Sequence, residues 1–252
     1  MNKQNNSKRG ANKKSPLPKL LAVLGAAVCL ILVLVLVLPG DEEPSSENEP
    51  EQQDPVTPQP GPGKLALDIG SGLTVTDIGN YTGMYMEDGS NELVAGVLMC
   101  IVRNDGDRGV EYAELTLNDG AVQAHFTITA LLPGRSVVLL AQDRAPYNEK
   151  AEYTADMAQK VAFFASQPSL QADLLKIQGL DGGLNVTNIS KKDITGDVVI
   201  YYKNVASDGL LYGGITYRTR ISGGIKAGEL KQGMTQHFRL GGSEVLFVTV
   251  AE

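Results

Sequence analysis

The strongest constraint is an uninterrupted apolar run of 19 residues, Leu20 to Leu38, with no charge in it. As a helix rising 1.5 Å per residue it would span roughly 28 Å, close to the ~30 Å hydrocarbon core of a bilayer. Six cations and no acid precede it: Lys3, Lys8, Arg9, Lys13, Lys14 and Lys19. Lys and Arg stay on the cytoplasmic side, so the sequence predicts a single span with residues 1–19 inside and everything after Pro39 outside. A cleaved signal peptide is the competing reading. The run exceeds the usual ~7–15 residue core of such signals, and no small-x-small cleavage site follows Val37-Leu38-Pro39-Gly40. Cys29 follows Val28 and sits among apolar residues, unlike a lipid-modified cysteine.

Residues 39–63 carry seven acids, no cation and seven of the chain's twelve prolines. Such a segment cannot bury enough surface to offset its ordering entropy. It is expected to be a disordered, extended linker that holds the rest of the chain away from the membrane. The formal charge of the whole chain is -7. The acidic balance beyond the tail opposes a nucleic-acid binder.

From residue 64 onward short apolar runs alternate with Gly, Asn and Asp clusters, the pattern of an all-β sandwich. Two stretches align without gaps, Gly96–Asn104 on Gly196–Asn204, and the offset holds to Leu117 and Tyr217. Gly72–Ile78 matches Gly183–Ile189, and Pro133-Gly134-Arg135 falls opposite Ala227-Gly228-Glu229. The reading is two tandem copies of one β unit, residues 64–166 and 167–252. Val122, Ala124, Phe126, Ile128 and Ala130 alternate with Gln123, His125, Thr127 and Thr129, placing one set inward. Val97 to Val102 is apolar on both faces, so that strand is expected to be covered on both sides. Tyr153, Met157, Val161 and Phe164 recur at helical spacing, which predicts a helix over 149–166; a strand through Val161-Ala-Phe-Phe164 is the alternative.

Tyr201-Tyr-Lys-Asn-Val-Ala-Ser-Asp-Gly209, the strand Tyr212-Gly-Gly-Ile-Thr-Tyr-Arg218 and the loop Ala227-Gly228-Glu229 resemble the bacterial FxLYD-like, immunoglobulin-like β domain. The resemblance covers both copies and is better in the second; the first has Ile101-Val102-Arg103 where an aromatic strand end is usual. It implies a membrane-anchored surface protein of the Gram-positive type. That family brings no catalytic residues to carry over.

Chemistry-bearing residues are sparse. His125 and His237 lie on polar strand faces, and Cys100 lies within an apolar strand with nothing nearby to lower its pKa. No Cys or His spacing suits zinc. Asn104-Asp105-Gly106-Asp107 lacks the alternating oxygens and distal carboxylate of a calcium loop and reads as a turn. Glu87-Asp88-Gly89-Ser90-Asn91-Glu92 reads as a solvated loop. Asn80, Asn185 and Asn188 head formal glycosylation sequons, which matter only in a eukaryotic secretory route. No cofactor or metal is expected, and no enzyme activity. The expected function is a non-catalytic, membrane-anchored extracytoplasmic binding or scaffold protein. The alternative is the ectodomain subunit of an envelope sensing, signalling or assembly complex. Alternation in neighbouring strands gathers Tyr201, Lys203, Arg218 and Arg220 into one exposed basic patch, expected to bind an anionic envelope polymer or an acidic protein.

Overall fold

The computed structural model describes residues 65–90 and 92–251. The expected tail (1–19), membrane span (20–38) and linker (39–63) lie outside the described residues. Among the described residues no helix is long and apolar enough to cross a membrane.

The described chain is all-β. The first half comprises β1 (Leu67–Asp68), β2 (Leu73–Met84), β3 (Leu93–Asn104), β4 (Val110–Asn118), β5 (Gln123–Leu131), β6 (Ser136–Leu140), β7 (Thr154–Ala155) and β8 (Gln159–Phe163). The second comprises β9 (Leu175–Leu180), β10 (Gly183–Asn188), β11 (Val198–Asn204), β12 (Leu211–Tyr212), β13 (Tyr217–Ile221), β14 (Leu230–Met234) and β15 (Ser243–Val250). They form four sheets. One has the order β1-β2-β3-β6-β12, and a second has β5-β4-β7 with β8 also on β4. The others are β14-β10-β9 and β13-β11-β15.

Each half encloses an apolar cluster between two sheets. In the first, Val75 and Val102 meet Leu115, Phe126 and Ile128. In the second, Leu184 and Val186 meet Val198, Ile200 and Val248. Period-two alternation supplies these side chains: Ala124, Phe126, Ile128 and Ala130 are buried, while Gln123 and His125 are exposed. Val122, expected inward with them, is 45% exposed, because it lies in the turn before β5 and its N–H donates to Asp119. Val97–Cys100 and Val102 are buried and Ile101 half-buried, so β3 is covered on both faces as expected. The helix expected over 149–166 is absent. The segment forms β7 and β8, and β8 pairs with β4. Met157, one of the four residues of the expected stripe, is 63% exposed. The spacing of four was coincidental, because β8 gains its partner from β4 far back in sequence and not from its own turn.

The hydrogen bonds locate the correspondence between the halves. Asn104 Nδ2 donates to the carbonyls of Arg108 and Leu131, both at 2.9 Å, and its Oδ1 accepts from Gly106 N–H. Asn188 Nδ2 donates to the carbonyls of Lys192 and Ile225, at 2.8 and 2.9 Å, and its Oδ1 accepts from Ser190 N–H. Both asparagines also exchange main-chain bonds with a Gly-turn, Gly134-Arg135 in one case and Gly228-Glu229 in the other. Asn104 and Asn188 thus make the same set of bonds. The sequence comparison aligns Asn104 with Asn204 instead, which ends β11. In strand order β2-β3-β6 runs as β9-β10-β14, and β5-β4-β8 as β13-β11-β15.

Both asparagines are fully buried. Truncating either strands two carbonyls and one N–H, at about 1–3 kcal/mol for a buried group left unpaired. Asn104→Ala and Asn188→Ala should each lower the urea midpoint of the detergent-solubilised chain clearly. Asp105→Ala, whose ion pair is with exposed Arg103, should leave it nearly unchanged.

Candidate ligand-binding cleft

Period two carries Tyr201 and Lys203 to the face of β11 opposite Ile200 and Tyr202. Tyr201 stands opposite Arg218 of β13, and Val199 opposite Arg220. The strands are neighbours and the alternation holds. The expected patch is nevertheless divided, because part of this face abuts the first half. Lys203 is fully buried there. Its ammonium donates to the carbonyls of Gly213 and Ile215, both at 2.8 Å, and to Thr129 Oγ1 of β5 at 3.3 Å. Lys203 is thus removed from the surface patch. Strand period reports which face a residue takes, not what covers that face.

The contact is built around the segment 211–216. β12 runs parallel to β6, with Leu211 on Val137 and Tyr212 on Val138. The Glu87 carboxylate accepts from Leu140 N–H at 2.8 Å and from Gly214 N–H at 2.7 Å. Thr129 Oγ1 donates to the Gly214 carbonyl and meets Thr216 Oγ1. A Cβ on Gly214 would lie 2.2 Å from the Thr127 carbonyl oxygen, so the backbone must be bare there. Arg135 forks onto Glu244 at 2.6 and 2.7 Å at the other end of the contact.

A cleft of about 590 Å³ opens beside this contact. Tyr201 stacks on Phe247 at 4.4 Å between ring centroids, and Phe164 meets Phe247 edge-on at 5.1 Å. Thr129 and Thr216 add hydroxyls to the lining, and Glu111 and Arg218 add opposite charges. Both charged residues are exposed. No ion pair engages Arg218 among the described residues, whereas Arg220 lies 3.6 Å from Asp197. Of the four residues expected to bind a partner, then, Tyr201 and Arg218 line the cleft, Arg220 is exposed outside it, and Lys203 is buried. Sequence reasoning missed Glu87, Thr129, Phe164 and Phe247. The paired glycines 213-214 in a strand-like stretch signalled close backbone approach; nothing distinguished Glu87 from its acidic neighbours.

The remaining candidates are placed as follows. His125 is exposed beside Thr116, and His237 stacks on Tyr217. Cys100 is buried, and burial pushes its thiol well up. Asp105 pairs with Arg103, which accounts for its lowered carboxyl. Among the described residues no three His, Cys, Asp or Glu converge as metal ligands. In the 87–92 loop Asp88, Ser90 and Glu92 are exposed while Glu87 is not, and Asp88 and Glu92 pair with Arg144.

Burial raises the Glu87 carboxyl to about 6 and lowers the Lys203 ammonium to about 7, each shift opposed by the attraction between the two groups. A raised acid makes folding less favourable as pH climbs from its unfolded value through 6. A lowered amine makes folding more favourable as pH climbs from 7 towards its unfolded value near 10.5. The melting temperature should therefore pass through a minimum between these values and rise from pH 7 to 9. Lys203→Met should flatten that alkaline rise in differential scanning calorimetry of the detergent-solubilised chain.

The chain matches no protein-family model and no curated protein sequence.

Proposed function

We propose that this is a non-catalytic, membrane-anchored extracytoplasmic binding protein, and that the cleft lined by Tyr201 and Arg218 takes an anionic polymer of the cell envelope. The observation that carries the reading is the guanidinium of Arg218 beside an aromatic floor, with no carboxylate paired to it among the described residues. Arginine and tyrosine are enriched at binding hot spots because they combine planar contact area with directed donors. The charge step across Leu20–Leu38 supports the anchor and its direction. The proline- and acid-rich segment 39–63 acts as the spacer. The two halves are two copies of one immunoglobulin-like unit, a reading supported by the matching bonds of Asn104 and Asn188. The resemblance to the FxLYD-like surface domains points the same way.

Two experiments test this. In intact wall-stripped cells, added protease should digest residues 64–252 and spare a tag at residue 1; release of a soluble protein beginning near Gly40 would refute the anchor. The Arg218→Glu, Arg220→Glu double variant should keep its β circular-dichroism spectrum and melting point while losing salt-sensitive co-sedimentation with isolated envelopes. Unchanged co-sedimentation of the folded variant would exclude this surface.

A further inference from the structure

The two halves differ at one edge. In the first, β1 folds back onto the outer edge of β2, with Leu67 opposite Val75 and Asp68 opposite Thr74. Leu65 and Leu67 pack against the core, and Ile69 is buried within it. The equivalent of β2 is β9: Leu73 faces Asn104 as Leu175 faces Asn188, and Val75 faces Val102 as Ile177 faces Val186. Among the described residues β9 pairs only with β10. The chain entering the second half runs instead along β15, where Val248 N–H donates to the Ser169 carbonyl. The place that β1 fills in the first half is a groove of about 460 Å³ in the second. Leu175, Ile177, Phe238 and Val245 line it, and Leu170 and Leu240 stand at its sides, 46% and 64% exposed.

We propose that this edge accepts an extended strand from another polypeptide, antiparallel to β9, with apolar side chains at alternate positions and an acidic residue between them. The chain's own β1 defines that chemistry. A strand set on β9 as β1 is set on β2 places an apolar residue opposite Ile177 and an acid opposite Lys176, the counterpart of Thr74. Lys176 is exposed and has no ion pair among the described residues. Main-chain bonds to an unpaired edge supply affinity, and pockets for alternate side chains supply selection. A lysine in mid-edge also discourages indiscriminate strand pairing, so the acid opposite it is the selective element.

The test uses the detergent-solubilised full chain and a labelled peptide with the sequence of residues 63–70, Gly-Lys-Leu-Ala-Leu-Asp-Ile-Gly. Saturable binding is expected by fluorescence polarisation, with slowed amide exchange over 175–180 and unchanged exchange in β2. Lys176→Glu, and separately Leu170→Glu with Leu240→Glu, should weaken binding about tenfold, equivalent to ~1.4 kcal/mol. All three positions are exposed, so the fold should persist, as circular dichroism would verify. Arg218→Glu should leave this binding unchanged, which separates it from the cleft. Equal binding of a scrambled peptide, or no protection of 175–180, would overturn the proposal. Protection that grows with protein concentration without peptide would assign the edge to a second copy of the chain and overturn the separate partner.

Discussion

The arrangement of the two halves depends on a carboxylate and an ammonium removed from water on either side of one glycine. Glu87 accepts from Gly214 N–H, while Lys203 donates to the carbonyls of Gly213 and Ile215. Each ion is costly to desolvate, and mutual attraction offsets that cost only when directed hydrogen bonds complete it. Here they do: no buried side-chain nitrogen or oxygen among the described residues lacks a partner. The pair is weak evidence for net stability and strong evidence for register. An apolar contact would tolerate sliding; a carboxylate that meets two specified N–H groups, Leu140 in the first half and Gly214 in the second, does not. The parallel β6–β12 pairing, the bare backbone at Gly214 and the Arg135–Glu244 fork follow from holding that segment in one place.

That fixed register has consequences for the cleft. Its lining comes from both halves: Thr129 and Phe164 from the first, Tyr201, Arg218 and Phe247 from the second. A site assembled from two independently moving bodies would have to lose their relative freedom on binding. Here the cluster that packs the first half also contains Leu211, Tyr212, Leu246 and Phe247 from the second. The aromatic floor is organised before any ligand arrives, which lowers the cost of association.

Local periodicity was legible and long-range cover was not. Residues 123–130 alternate as expected because alternation is a property of one strand, and Val122 does not because it lies in the turn ahead of it. Lys203 was assigned the correct face and the wrong environment, since burial depends on a segment contributed by another element. The helix over 149–166 failed for a related reason. Four apolar residues at helical spacing also suit a strand edge, and β4 decides between them. Asn104 and Asn204 both end apolar runs in the sequence, whereas the Asn104 side chain caps a loop by three hydrogen bonds. Such capping leaves only an asparagine in the sequence, and asparagines are common at strand ends.

The asymmetry between β2 and β9 follows from where each half receives its chain. Ahead of β2 lies Gly70-Ser71-Gly72, all three with positive φ. Two glycines adopt that conformation at little cost, so the chain reverses sharply and β2 returns alongside β1. Ahead of β9 only Gln171 has positive φ, and its carbonyl accepts from Leu174 and Leu175 N–H. The turn is wider and glycine-free. The chain arriving from β8 has also just left the sheet that contains β4, and in the second half the corresponding sheet contains β15. The short path from one to the other runs past Phe164 and binds Ser169 to Val248. β15 therefore gains the entering chain and β9 keeps β10 alone among the described residues, whereas β2 carries β1 on its outer edge.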